Sequence, residues 1–106
     1  GGGFGIPRFS PQKQGRHVWD HPNYTDKSYF KCMKDAEEVF NAFIQGKVTI
    51  LGKSKHGDTH FTYSGVTGYN HNPASGYPHQ PTNTFFVKGQ KGGSVVPTNP
   101  NWRPNP

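Results

Sequence analysis

The sequence predicts an α+β domain in which an N-terminal helical part packs on a twisted antiparallel sheet of about four strands. Apolar residues repeat at helical spacing only between Asp35 and Gly46, and from Lys47 onward short strand-type runs alternate with turn residues. The links between these runs are too short for crossovers, which favours antiparallel pairing. A chain of 106 residues is expected to form one core.

The chain begins with a glycine-rich stretch, residues 1–9, which we expect to be a linker from an upstream part of a longer protein. Residues 10–106 are then a single domain. Ser10 is a good N-cap and Pro11 suits the first helical position, so one helical turn is predicted over Pro11–Gln14, with Gly15 ending it.

The main helix is predicted between a capping-box-like start at Asp35-Ala-Glu-Glu38 and a stop at Gly46. One face of this helix is apolar, and we expect that face to pack on the sheet. Its members are Ala36, Val39, Phe40, Phe43 and Ile44.

Four strands are predicted after the helix, at Lys47–Leu51, Thr59–Val66, Thr84–Lys88 and Ser94–Pro97. Gly52–Asp58 and Gly89–Gly93 are interpreted as hairpin connections. Gly68–Asn83, with three prolines and two histidines, is interpreted as a long functional loop. The tail is expected to be irregular, with Trp102 anchoring it to the body.

The net charge of +6 favours a polyanionic partner. Basic residues lie on both sides of the acidic helix start, and no basic amphipathic helix is present, so nucleic acid is favoured over a membrane surface. No apolar run is long enough to span a bilayer, and no signal peptide is seen. Cys32, the single cysteine, excludes an intramolecular disulfide and is expected to be buried.

The segment Lys13–Ser28 is the richest in groups that can carry chemistry. Metal-free RNA cleavage needs a general base, a general acid, and cations or hydroxyl donors around the phosphate, because the ribose 2′-hydroxyl is the nucleophile. His17 and His21 are the candidate base and acid. The candidate cations are Arg16, Lys27, Lys47 and Lys88, and the candidate donors are Ser28, Thr84 and Tyr24.

Two other classes of function stay open. A metal-dependent nuclease is one, since histidines recur at His17 and His21, at His56 and His60, and at His71 and His79, although Pro22 argues against a helical ligand pair. A non-catalytic nucleic-acid-binding module is the other, with tyrosines stacking on bases. Trp19 is expected in the core, and most tyrosines are expected to be half-buried.

The order of these features resembles the toxin nucleases of the barnase/EndoU/colicin/RelE-like superfamily. The likeness covers residues 12–97 and is carried by K-Q-x-R-H-x3-H-x2-Y-x2-K-S at Lys13–Ser28, an amphipathic helix, and T-x-F-F-V-K-x3-G-G-x-V-V-P at Thr84–Pro97. Within it Arg16, His17, His21, Tyr24 and Thr84 match the family's site positions. Ser94 stands where related toxins often have a histidine, so His79, His60 or Tyr24 would have to supply the second proton transfer.

The resemblance implies a secreted delivery protein as parent chain and action in the cytoplasm of a target bacterial cell. It also implies cleavage of RNA, with tRNA as the expected class, without a metal or other cofactor. A dedicated immunity protein would neutralise the toxin, and an acidic one suits a basic cleft. His79 joins Lys27, Ser28, Lys47 and Lys88 among the expected substrate-binding residues.

Overall fold

The computed structural model describes residues 8–88 and 93–104. In chain order the elements are α1 (Pro11–Gln14), α2 (Met33–Ile44), β1 (Thr49–Lys53), β2 (Thr59–Thr62), β3 (Gly68–Asn72), β4 (Tyr77–Thr82), β5 (Thr84–Val87) and β6 (Val95–Pro97). Short 3-10 turns follow α1 at Gly15–His17 and β3 at Pro73–Ser75. The fold is α+β, as the sequence predicted.

The main sheet has four antiparallel strands in the order β1-β2-β5-β6. Phe61 and Phe85 are paired across β2 and β5 and are fully buried on the side that carries the core. Side chains alternate along a strand, so His60 and Phe86, which also pair, lie on the opposite face. The predicted turn over 52–58 joins β1 to β2, and residues 89–92 of the other predicted turn lie outside the described residues.

The amphipathic helix α2 covers one face of this sheet. Val39 and Phe40 are buried in the core, and Phe43 stacks on Phe61 with ring centroids 5.0 Å apart. Ile44 was predicted to belong to the apolar face that packs on the sheet. It is the last residue of α2 and is 38% exposed, so that part of the prediction was wrong. The N-cap is Cys32, three residues before the predicted Asp35, and its side chain makes no cap hydrogen bond.

The segment 68–83 is not an irregular loop. It forms a second sheet, the antiparallel hairpin β3-β4, with the 3-10 turn and Gly76 (φ 84°) at its tip. The N–H and carbonyl of Tyr69 both bond to the backbone of Tyr29, at 2.8 and 2.9 Å. Tyr69 therefore makes no backbone hydrogen bond to β4, on its other side. Pro81 pairs with Tyr69 from β4, where no N–H is required.

Segments near both ends of the described part of the chain pack on the body. Gln14 is fully buried and forms two hydrogen bonds to Val95, with its Nε2 donating to the carbonyl (2.9 Å) and its Oε1 accepting from the N–H (2.8 Å). Phe9, placed in the predicted linker, packs its ring 5.4 Å from that of Phe40, while residues 1–7 lie outside the described residues. Trp102 anchors the tail, as predicted, by stacking on His60 at 3.7 Å.

In the described part of the chain, no helix has both the length and the apolar character needed to cross a membrane. Cys32 is half-buried rather than buried.

Candidate active site

An open cavity of about 530 Å³ lies where the segment 13–28 meets β3 and β6. Three parts of the chain line it: His17 with residues 26–28, residues 70–74 of β3 and its 3-10 turn, and Phe86 with residues 96–98. Phe86 and Val96 pair on the sheet face opposite α2 and form an apolar floor of the cavity.

His17 is placed by the chain on both sides of it. The bond from Gln14 to β6 holds α1 against the edge of the sheet, and the 3-10 turn that follows ends at His17. The Phe30 N–H donates to the His17 carbonyl at 2.8 Å, which ties the turn to the core. The imidazole is 8% exposed and reaches the cavity from a fixed backbone.

The ring of His17 has a defined protonation pattern. Its Nδ1 lies 2.9 Å from the Ser28 carbonyl oxygen, which can only accept, so Nδ1 carries the proton and Nε2 has the lone pair. Burial lowers the pKa of His17, and the charges of Lys27, Lys88 and Arg16 lower it further, against the opposing effect of the Ser28 bond. The neutral imidazole is therefore favoured, with Nε2 able to accept a proton.

Ser28 joins the segment 13–28 to the hairpin through its hydroxyl. Its Oγ accepts from the His71 N–H at 3.0 Å and donates to Asn70 Oδ1 at 3.3 Å. The Asn70 amide donates in turn to Gln80 Oε1 at 2.8 Å. Ser28 thus fixes the wall of the cavity through both its carbonyl and its hydroxyl group.

His71 is held on both ring nitrogens. Its Nδ1 accepts the backbone N–H of His79 at 3.1 Å, and its Nε2 lies 3.1 Å from Asp26 Oδ1. Asp26 (φ 59°) and His79 (φ 50°) are the two non-glycine residues with positive φ in the described part of the chain. Both strained residues therefore contact the same histidine, a concentration of strain that is typical of functional sites.

The structure brings together His17, Arg16, Lys27, Ser28 and Lys88 of the predicted set. Lys27 and Ser28 line the cavity, and the charges of Arg16 and Lys88 act on His17. All three cations are on exposed residues, so they can contact a polyanion in solution.

His21 and Tyr24 lie outside the cavity lining. The His21 Nδ1 accepts from the Asn23 N–H at 3.0 Å, and its ring covers Gly15 so closely that a Cβ there would be 2.5 Å away. The Tyr24 hydroxyl donates to the Lys27 carbonyl at 2.8 Å, and burial, followed by Asp26 and Tyr29, raises the pKa of Tyr24 to about 12. Both residues shape the segment rather than line the cavity.

Thr84 and Lys47 are also elsewhere. Thr84 is buried in β5, and its carbonyl accepts from the N–H of Thr98, which does line the cavity. Lys47, between α2 and β1, lines two other cavities together with Tyr63.

Of the groups considered for the second proton transfer, His79 is the exposed histidine beside the cavity. Its ring stacks on His71 with centroids 4.2 Å apart, and its Nδ1 is 2.9 Å from the Tyr29 hydroxyl, while no hydrogen bond among the described residues occupies its Nε2. His60 is 5% exposed beneath Trp102, and burial lowers its pKa.

A second open cavity, of about 540 Å³, lies at the β1-β2 turn and the tail, where it is lined by Lys53, Lys55, His56 and Arg103 among others. His56 is exposed there, and no hydrogen bond within residues 8–88 and 93–104 fixes its ring. His17, by contrast, is buried and oriented by a hydrogen bond in the first cavity, so we place the candidate chemistry there.

Sequence reasoning missed Asn70, His71 and Asp26 as parts of one cavity wall, and it named Thr84, whereas Thr98 is the threonine that lines the cavity. The available signal was the density of histidine and asparagine in 68–83, which the prolines disguised as a loop. Among the described residues, no three His, Cys, Asp or Glu side chains converge as ligands for a metal ion.

In comparisons with known proteins, no family model matches this chain and no curated protein matches it significantly.

Proposed function

We propose that this domain is a metal-independent endoribonuclease toxin that cleaves RNA, with tRNA as the expected substrate class, by transesterification through the ribose 2′-hydroxyl. The single observation that carries this proposal is the His17 imidazole: Nδ1 bound to a carbonyl, Nε2 free, pKa lowered, at the wall of an open cavity. This arrangement is that of a general base.

In the proposed reaction, His17 Nε2 takes the proton of the 2′-hydroxyl as that oxygen attacks phosphorus. The P–O5′ bond breaks, and the products are a 2′,3′-cyclic phosphate and a 5′-hydroxyl. Lys27, with Arg16 and Lys88 nearby, stabilises the additional negative charge on the phosphoryl oxygens. DNA has no 2′-hydroxyl, so it is bound but not cut.

His79 is the proposed donor of the proton to the leaving 5′-oxygen. It is exposed, and its stacking on His71 and its bond to the Tyr29 hydroxyl hold the ring next to the cavity. Asp26 and His71 act as positioning residues, because both ring nitrogens of His71 are already bonded.

The first test is RNA cleavage by the purified domain in EDTA. We expect cleavage products with 2′,3′-cyclic phosphate ends, and a loss of about 10²- to 10⁴-fold in kcat/KM for His17→Ala. His56→Ala is the matched control, since it removes an exposed histidine from the other cavity and is expected to retain full activity.

Two results would replace this proposal with one of the alternatives. Activity that returns only with added Mg²⁺ or Zn²⁺ would favour the metal-dependent nuclease. Tight, steeply salt-dependent RNA binding without any product would favour the binding module.

The proton donor can be tested separately with a substrate whose 5′-oxygen is replaced by sulfur. A thiolate leaves without protonation, so His79→Ala is expected to be slow on normal RNA and close to wild type on the sulfur substrate. His17→Ala is expected to be slow on both. Equal impairment of His79→Ala on the two substrates would exclude the donor role.

The charge of the domain also supports the proposed partner. A producing cell must block a basic site of this kind, and an acidic immunity protein would bind it by charge complementarity. We propose that the domain is delivered as part of a larger secreted protein and that 1:1 binding of this partner covers the His17 cavity.

An acidic protein that rescues cells expressing the domain provides the test of this partnership. Its affinity is expected to fall for Lys27→Glu and to be unchanged for Lys47→Glu, which lies away from the cavity. Equal affinities for the two variants would contradict direct occlusion.

A further inference from the structure

Aromatic rings form a surface cluster beside the cavity, which we call the aromatic platform: Trp19, Tyr24, Tyr29, Tyr69 and His79. Trp19 is 52% exposed, which corrects the expectation that it belongs to the core. The indole lies against Tyr29 and Tyr24, with ring centroids 4.9 and 5.4 Å away.

The platform is rigid although it is exposed. Tyr29 is buried and stacks on Tyr69 at 5.1 Å, almost parallel at 18°, and both residues are held by their paired backbone hydrogen bonds. The Trp19 N–H donates to the Phe30 carbonyl at 2.9 Å, so its backbone is fixed to the core as well. A large aromatic ring held in this way can bind a flat ligand without losing much side-chain entropy.

The platform connects directly to the cavity. The His79 ring lies nearly perpendicular to the Trp19 indole, with centroids 6.0 Å apart, and stacks on His71 of the cavity wall at 4.2 Å. Tyr29 follows Ser28, the residue that orients His17. A polymer bound at His17 and extending past His79 would therefore reach Trp19.

The charges around the platform identify the class of polymer. Lys31 lies over the Tyr69 ring, with Nζ 5.5 Å from its centroid. Lys27 lines the cavity, and its carbonyl accepts from the Tyr24 hydroxyl of the platform at 2.8 Å. Flat rings beside cations suit a strand that alternates bases with phosphates, since bases stack on aromatic side chains and cations hold the backbone.

We infer that Trp19 stacks on an unpaired nucleobase next to the scissile phosphate, so that the aromatic platform selects single-stranded RNA over duplex RNA. This inference rests on the proposed function for the identity of the polymer. Stacking is tolerant of base identity, so the platform would select unpaired structure rather than sequence.

The test uses binding rather than cleavage. A short deoxyribonucleotide strand, which the proposed reaction cannot cut, is titrated against the domain carrying Trp102→Phe, so that Trp19 is the only tryptophan. We expect quenching of the Trp19 fluorescence on binding. A second strand with the same phosphates but one abasic position is compared with it.

Trp19→Ala is expected to weaken binding of the complete strand by about 5- to 100-fold, measured by fluorescence anisotropy of a labelled strand. For a strand with the abasic position at the stacking site the same substitution is expected to have little effect, because the base that stacks is already absent. Trp19→Phe should restore most of the affinity. Trp102→Phe, in the tail, is the matched control and should bind like the wild type.

Several results would overturn the inference. One is equal affinity of Trp19→Ala and the wild type for the complete strand. Another is an affinity loss from Trp19→Ala that is the same for the complete strand and for every strand with one abasic position. The third is tighter binding of duplex than of single strand. Failure of the platform and failure of the nuclease proposal can be told apart: Trp19-dependent strand binding by a domain that cuts no RNA would support the platform and refute the nuclease. A nuclease indifferent to Trp19→Ala would refute the platform alone.

Discussion

The chemistry proposed for His17 depends on one neighbouring atom. The Ser28 carbonyl fixes the tautomer, and without it either ring nitrogen could hold the proton. The sequence identified His17, Lys27 and Ser28 as members of one polar segment, but it could not show that the segment folds back to place a carbonyl 2.9 Å from a ring. His21 was grouped with them as a protonatable residue of the same segment and by the family resemblance, and in the structure its ring covers Gly15.

The charge around His17 gives a prediction for activity against pH. The base must be neutral, so kcat/KM should fall as the pH drops through a pKa below the usual 6.5. Lys27→Ala removes a charge that lowers this pKa, and the acid limb is expected to move to higher pH. NMR titration of the His17 ring measures the same shift without any assay, and an unchanged pKa would contradict it.

Gly15 and His21 give a prediction for stability. Gly15 has φ −55°, which any residue can adopt, and the three atoms nearest to a Cβ at this position all belong to the His21 ring, 2.5 to 3.0 Å away. Gly15→Ala should displace the ring and break its bond to Asn23, at a cost of about 1 kcal/mol. In the His21→Ala background the same substitution should instead stabilise by about 0.5 kcal/mol.

Urea unfolding of the wild type, the two single variants and the double variant measures whether the effect of Gly15→Ala on the free energy of unfolding changes sign. Additive effects of the two substitutions would show that the ring does not limit the site.

Among the elements, those with strong local patterns were predicted and the hairpin was not. The apolar period of α2 and the strand runs of β2 and β5 are visible in the sequence because each buries one face in the core. The hairpin β3-β4 buries little of β4 and contains prolines, so its pattern is that of a loop. Its pairing depends on Tyr29, a residue from another part of the chain, and no local rule reports such a partner.

Gln14 gives the prediction for an element. β6 is at the edge of the sheet, and the Gln14 amide occupies the position that a further strand would take. Gln14→Ala leaves a buried N–H and a buried carbonyl of Val95 without partners, at a cost of about 2–5 kcal/mol in unfolding free energy.

Lys13→Ala, one residue away and exposed, is the control and should change stability by less than about 0.5 kcal/mol. Equal midpoints in urea for the two variants would show that water replaces the lost bonds.

Over the whole molecule, stability and acidity are linked through two buried histidines. Burial lowers the pKa of both His17 and His60 from the usual 6.5. Below that value the unfolded chain binds the two protons more readily than the folded chain, so stability rises with pH through this window and levels off above it. The predicted behaviour is a urea midpoint that is constant above neutrality and falls as the pH drops below 6.5.

The double variant His17→Gln, His60→Phe tests whether these two histidines cause the pH dependence of stability. Phe keeps a flat ring between Trp102 and Phe86, and neither new side chain titrates. Its urea midpoint should vary less between pH 7.5 and 5 than that of the wild type, and an equal variation would assign the effect to other groups.

The bond between Gln14 and Val95 also bears on the order of events in folding. It joins residues 81 positions apart, so forming it requires closing a loop of nearly the whole chain, with the corresponding loss of conformational entropy. A growing chain that has reached β5 already contains His17, Lys27, His71 and His79, yet it has no β6 against which α1 can settle. The hydrogen-bonded position of His17 is therefore expected to form only once β6 is present, so that a chain ending at β5 would lack the proposed activity.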